Sequence, residues 1–69
     1  MEDIRDCRGR LVCKADAPTG IVEMQYKGLR TETRLSPGSM MIIEREGVVT
    51  TVTRTHQPSF SVESHDRAA

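Results

Sequence analysis

Apolar and polar residues alternate along most of this chain, and the alternation predicts β-strands. In residues 29–35, Leu29, Thr31, Thr33 and Leu35 fall on one face, and charged side chains fall on the other. Strict period-two alternation is typical of an antiparallel strand with one buried face. The pattern therefore predicts an all-β chain.

Glycines divide the chain at intervals of 8 to 11 residues, at Gly9, Gly20, Gly28, Gly38 and Gly47. Each follows a residue that suits a turn, and this spacing is typical of short strands joined by tight turns. We expect a small antiparallel meander of five to six short strands, folded as a strongly bent sheet or a partly closed SH3-like barrel. Residues 1–57 form this single β domain, and residues 58–69 form a short edge strand or a flexible C-terminal tail.

The second hairpin has the clearest register. A two-residue turn at Lys27-Gly28 places Tyr26 opposite Leu29, and both strands then agree on the face that is buried. The same register places Glu23 opposite Glu32. Such a like-charge pair is costly unless an arginine lies nearby.

The first and last hairpins leave alternatives open. A two-residue turn at Arg8-Gly9 places Ile4 opposite Cys13, whereas a helical turn through the same segment is less favoured because of Gly9. In the last hairpin, a two-residue turn at Glu46-Gly47 gathers apolar residues on one face, and a three-residue loop would mix the faces. The expected core comprises Ile4, Leu11, Cys13, Val22, Met24, Tyr26, Leu29, Leu35, Met41, Ile43, Val48 and Val52.

Four consecutive apolar residues, Met40, Met41, Ile42 and Ile43, interrupt the alternation. Both faces of their strand then carry apolar side chains. The strand is either central and covered on both sides, or it meets another chain. We take these four residues as a possible interface, because methionine adapts to varied partners.

Size strengthens the expectation of a partner. The chain has 69 residues, one Tyr, one Phe and no Trp, so it can bury only a thin core. Domains of this size are marginally stable and often rely on a disulfide, a metal or a second subunit. A homodimer or another protein partner is therefore expected.

The charge balance gives little support to nucleic-acid binding. The formal net charge is zero, which gives no long-range attraction to polyanions. Exposed aromatic residues for base stacking are also lacking. The possible nucleic-acid contacts are the basic residues of the first two hairpins, which are Arg5, Arg8, Arg10, Lys14, Arg30 and Arg34.

The sequence contains no pattern typical of an enzyme. Cys7 and Cys13 point to opposite faces in the expected register, so no disulfide is predicted, and with His56 and His65 they lack zinc-ligand spacing. No phosphate loop, nucleophile with a positioned base, cofactor motif or small-molecule substrate site is evident. No signal peptide or membrane span is seen, which favours a cytoplasmic protein with reduced thiols.

The sequence thus predicts a non-enzymatic β module of unknown function that binds a protein partner or itself. The alternative is a small β-barrel that binds nucleic acid through the basic residues of its first two hairpins.

Overall fold

The computed structural model describes residues 1–57 and 59–67. The chain forms seven β-strands: β1 (Glu2–Arg5), β2 (Leu11–Asp16), β3 (Ile21–Tyr26), β4 (Leu29–Arg34), β5 (Met40–Arg45), β6 (Val48–Arg54) and β7 (Phe60–Asp66). All pairings are antiparallel between consecutive strands. The expected all-β antiparallel fold is confirmed, but the described residues form seven strands and not the expected five to six.

The strands divide into two sheets, and the described residues do not close into a barrel. Sheet 1 has the order β1-β2-β3-β4, and sheet 2 has the order β5-β6-β7. The chain changes sheets after β4. The Leu35 N–H still bonds to the Gly20 carbonyl in sheet 1 (2.8 Å), whereas the Ser39 carbonyl already accepts from the Arg54 N–H in sheet 2 (2.9 Å). Pro37 lies between them and has no N–H with which to continue a ladder.

Two-residue turns fix the second and third hairpins as the alternation predicted. Lys27 and Glu46 have φ of 50°, and the following glycines also have positive φ, as a type I′ turn requires. Tyr26 pairs with Leu29, and Arg45 pairs with Val48. The three-residue alternative at Glu46-Gly47 is therefore wrong.

The first hairpin differs from the expected two-residue turn. Ile4 does pair with Cys13, but the register shifts at the next step, so that Arg5 pairs with Leu11. β1 ends at Arg5 because the Asp6 carboxylate accepts hydrogen bonds from the backbone N–H groups of Arg8 (2.9 Å) and Arg10 (3.0 Å). An aspartate that satisfies the backbone of the next few residues favours a wider loop over a continued ladder.

Residues 58–69, expected to form a short edge strand or a flexible tail, contain the seven-residue strand β7. It reaches Asp66 and pairs with β6 along its whole length. Its C-terminal half carries polar residues that bond to the β1–β2 loop. The Ser64 hydroxyl accepts a hydrogen bond from the Cys7 N–H (2.9 Å), and Asp66 forms an ion pair with Arg8 (2.8 Å).

The core lies between the inner faces of the two sheets. Its buried apolar members are Ile4, Cys13, Ala15, Val22, Leu35, Val48 and Val52. Met24, Met41 and Ile43 pack at its margin, as expected for core residues. The expectation was wrong for Leu11, Tyr26 and Leu29, which are 40%, 53% and 70% exposed. Sheet 2 has one strand fewer than sheet 1, and most residues of β4, the edge strand of sheet 1, stay exposed.

Candidate interaction surface

β5 is an edge strand of sheet 2, because its hydrogen-bonded neighbour among the described strands is β6 alone. In a hairpin with a two-residue turn, the residues flanking the turn bond to each other, and every second residue bonds across the ladder. Arg45 pairs with Val48, so the N–H and C=O groups of Met40, Ile42 and Glu44 point away from β6. This edge is therefore open to pairing with another strand.

The two faces of β5 have different environments. Met41 and Ile43 are half-buried and pack against the core. Met40 and Ile42 face outward and are 59% and 63% exposed. Of the two interpretations of this apolar run, the centrally placed strand covered on both faces is wrong.

Short and β-branched side chains surround Met40 and Ile42 on the outer face of sheet 2. Thr53 and Thr51 lie directly opposite them on β6, and Val49 is opposite Glu44. These three β6 residues are half-buried. The outer face of β5 and β6, which we call the outer patch, comprises Met40, Ile42, Glu44, Val49, Thr51 and Thr53.

The basic residues of the β1–β2 loop are engaged by carboxylates. Arg8 pairs with Asp66 (2.8 Å). Arg10 contacts Asp6 (2.9 Å) and also Glu46. Burial alone would raise the pKa of Asp6, but hydrogen bonds from the Arg10 and Arg8 backbone and from the Arg10 guanidinium hold it below its usual value.

The basic residues of sheet 1 alternate with acidic ones. Arg30 bridges Glu23 (2.9 Å) and Glu32 (2.7 Å), which face each other across β3 and β4 as predicted. The Arg30 hydrogen bond lowers the pKa of Glu23, and burial opposes it. Lys14 lies opposite Glu23, and Arg34 lies opposite Ile21.

Arg5 lies near Asp3 (3.8 Å) and donates a hydrogen bond to the Gly9 carbonyl (3.0 Å). The six basic residues named from the sequence thus lie in two parts of the chain. Arg5, Arg8 and Arg10 belong to β1 and the β1–β2 loop, and Lys14, Arg30 and Arg34 belong to β2 and β4. Within the described residues, only Lys14 and Arg34 of the six lack an ion pair. Carboxylates therefore neutralise four of the six basic residues.

The cysteines are separate in environment. Both thiols are free; Cys7 is exposed, and Cys13 is buried in the core. Burial raises the pKa of Cys13 to about 11, which keeps it a neutral thiol at neutral pH. The residues that the structure describes contain no group of three or more His, Cys, Asp or Glu side chains able to hold a metal ion.

A cavity of about 360 Å³ opens between the sheets at the end of β5. Its apolar lining includes Leu11, Met24 and Ile43. Tyr26 and Arg45 also line it, and the Arg45 guanidinium carbon lies 5.3 Å from the centre of the Tyr26 ring. Lys27 approaches the same ring at 5.4 Å.

Arg45 contacts the Tyr26 ring but forms no ion pair with a carboxylate of the described residues. It donates one long hydrogen bond to the Leu11 carbonyl (3.4 Å), and its buried Nε has no partner among the described residues. Neither this residue nor the cavity was predicted from the sequence. The signal was present, because the register that puts Met41 and Ile43 on the inner face also puts Arg45 there.

Comparison of the chain with protein-family models, with curated proteins and with solved structures gave no match to any of them. In the part of the chain that the structure describes, no helix has the length and apolar character needed to cross a membrane.

Proposed function

We propose that this chain is a non-enzymatic interaction module that associates with a second copy of itself through β5. The observation that carries this proposal is the exposure of Met40 (59%) and Ile42 (63%) on an edge strand. A small protein gains stability when such side chains leave water, by roughly 1.5–3 kcal/mol for each fully buried side chain.

The area available sets the expected strength. Stable protein interfaces bury about 800 Å² on each partner. The whole chain exposes 4563 Å², and two side chains make up too small a part of this surface to supply such an interface alone. The partner must also cover the threonines and Val49 of the outer patch, or pair with the free backbone of β5. We therefore expect weak association that depends on protein concentration.

The direct test compares two lysine substitutions by sedimentation velocity over a range of concentrations. Ile42→Lys places a charge in the outer patch and should leave a monomer. Leu29→Lys is the matched control, because Leu29 is also highly exposed on a strand (70%) but lies in sheet 1. It should associate as the wild type does.

An Ile42→Lys variant that associates like the wild type would rule out β5 as the interface. Circular dichroism checks that both variants keep the fold. If Ile42→Lys unfolds, Met40→Glu on the same face provides the second variant, and it must weaken association for the proposal to stand.

Nucleic-acid binding is the alternative function, and the ion pairs count against it. Arg8, Arg10 and Arg30 would have to leave their carboxylate partners before they could contact phosphates. Binding through basic residues weakens steeply with salt, because it releases counterions. We expect no response to an oligonucleotide at low salt. Saturable binding that falls as salt rises would favour this alternative over self-association.

We also infer a reducing compartment such as the cytoplasm. The inference is supported by the two free thiols, of which Cys7 is exposed to any oxidant in solution. Exposed free thiols are more typical of reducing than of oxidising compartments.

A further inference from the structure

We propose that the cavity beside Tyr26 and Arg45 binds a small carboxylate with an apolar body, such as an aryl- or alkyl-substituted acid. Its volume of about 360 Å³ lies within the range of small-molecule sites. The ligand would place its apolar group between the sheets and its carboxylate against the Arg45 guanidinium.

The walls of the cavity favour an apolar body. Leu11 and Tyr26 were expected in the core, yet they remain 40% and 53% exposed, and both line this cavity. Met24 and Ile43 continue the apolar lining toward the core. The three strands of sheet 2 leave the apolar surface of these four side chains uncovered. A ligand that covers this surface removes it from water, which favours binding.

The charge of Arg45 favours a carboxylate as the polar group. Of the arginines in the described residues, five form ion pairs with carboxylates, whereas Arg45 forms none. Arg34 and Arg54 also form none, but Arg34 is exposed to water. The Nε of Arg54 lacks a partner as well, but its two terminal nitrogens donate to carbonyls at 2.7 and 3.3 Å. Arg45 has one long bond and a buried Nε without a partner. A planar guanidinium binds a carboxylate through parallel hydrogen bonds, which are stronger than neutral ones.

The two acidic residues of the cavity do not oppose an anion strongly. Glu46 is engaged by Arg10, and Glu44 is paired with Arg67 (2.5 Å). Lys27 beside Tyr26 adds a further positive charge at the same end. Among the charged residues that line the cavity, Arg45 is the one that forms no ion pair within the described residues.

The test is an NMR titration of the ¹⁵N-labelled chain with three probes. Phenylacetate carries both the ring and the charge, phenylacetamide carries the ring alone, and acetate carries the charge alone. Phenylacetate should shift the amide signals of Tyr26, Ile43 and Arg45 in a saturable manner. The other two probes should bind at least about tenfold more weakly, since each lacks one part of the recognition.

Two variants locate the charge. Arg45→Met keeps a long apolar side chain and should remove the preference for phenylacetate over phenylacetamide. Arg34→Met removes an exposed cation of β4 that forms no ion pair with the described residues, and it should leave the titration unchanged.

The proposal is overturned if wild-type protein shows no saturable shift with phenylacetate, or if phenylacetamide binds as tightly. Shifts confined to residues outside the cavity would overturn it as well. These comparisons use the wild-type chain, so they test binding of the carboxylate in the cavity even if Arg45→Met fails to fold.

Discussion

Gly20 determines how closely the β2–β3 turn can approach sheet 2. It has φ of +78°, and a Cβ placed there would overlap the Arg54 guanidinium and the Leu35 carbonyl oxygen. Arg54 uses this space to donate hydrogen bonds to the carbonyls of Leu35 (2.7 Å) and Pro18 (3.3 Å). A single arginine of β6 thereby holds two connecting segments of sheet 1.

Gly20→Ala should therefore destabilise the chain more than the same change at Gly9. Gly9 has a similar φ of +79°, but nothing lies within 4 Å of the position that a Cβ would occupy there. Alanine at Gly9 costs about 1–2 kcal/mol, from the left-handed backbone alone. Gly20→Ala adds displacement of Arg54 and should cost about 3 kcal/mol or more. Urea unfolding of both variants measures the difference, and equal losses would contradict the role of the close approach.

Asp6 couples the β1–β2 loop to pH. Its side chain is 1% exposed and accepts hydrogen bonds from the Arg8 and Arg10 backbone and from the Arg10 guanidinium. Its pKa in the folded chain lies below the usual 3.8. A carboxylate of this kind stabilises the fold at pH values above its unfolded pKa, and the contribution is lost as pH falls through the folded pKa.

We expect Asp6→Asn to lower the free energy of unfolding at pH 7 and to flatten its decline below about pH 4. Asn keeps an acceptor oxygen but loses the charge that Arg10 contacts. Asp66→Asn is the control, because the Asp66–Arg8 pair is largely exposed and such pairs contribute little. The measurement is urea unfolding between about pH 2.5 and 7, because that range brackets the carboxylate pKa values. An unchanged pH profile in Asp6→Asn would refute the assignment.

In the β3–β4 hairpin, Arg30 resolves the conflict between Glu23 and Glu32. The two carboxylates face each other, and the Arg30 guanidinium contacts both. The alternation of this hairpin could be predicted from sequence, and so could the need for an arginine. Which arginine contacts both carboxylates depends on the side-chain conformations, and the sequence pattern does not specify those.

Arg30→Gln should raise the pKa of Glu23, because the hydrogen bond and charge that lower it are lost. Arg34→Gln, on the same strand but without an ion pair to Glu23, should leave that pKa unchanged. A titration of the side-chain carboxyl carbons by NMR measures both. A Glu23 pKa that rises equally in the two variants would show that general charge, rather than the bridge, is responsible.

The registers of the β3–β4 and β5–β6 hairpins were predictable because two-residue turns and period-two alternation act locally. The first hairpin was not, because the Asp6 carboxylate competes with the ladder through hydrogen bonds to Arg8 and Arg10. The length of β7 was missed for a related reason. Ser64 and Asp66 are polar and bond to the β1–β2 loop, so they carry no apolar alternation.

Across the whole molecule, the two-layer arrangement decides which apolar residues are buried. The face of Tyr26 and Leu29 could be predicted, but their exposure could not, because it depends on how far sheet 2 extends over sheet 1. The exposure of Met40 and Ile42 likewise depends on the arrangement of the two sheets. Local pattern showed that β5 is apolar on both faces, and only the sheet order shows that it is an edge.

Val52 and Val62 test how much the thin core contributes. They face each other across β6 and β7, yet Val52 is fully buried and Val62 is 40% exposed. Val52→Ala should cost about 2 kcal/mol, from lost burial and a residual cavity. This is a large share of the roughly 3–10 kcal/mol expected for a chain of this length. Val62→Ala should cost less than half as much in urea unfolding, and similar losses would contradict a core centred on Val52.

Self-association through β5 is tested most directly by light scattering of the wild-type chain in reducing buffer, from about 10 µM to 1 mM, a range suited to weak interfaces. We expect the average mass to rise from the monomer value of 7.7 kDa toward twice that value as concentration increases. A mass that stays at the monomer value throughout would show that the exposed edge and outer patch do not bind a second copy.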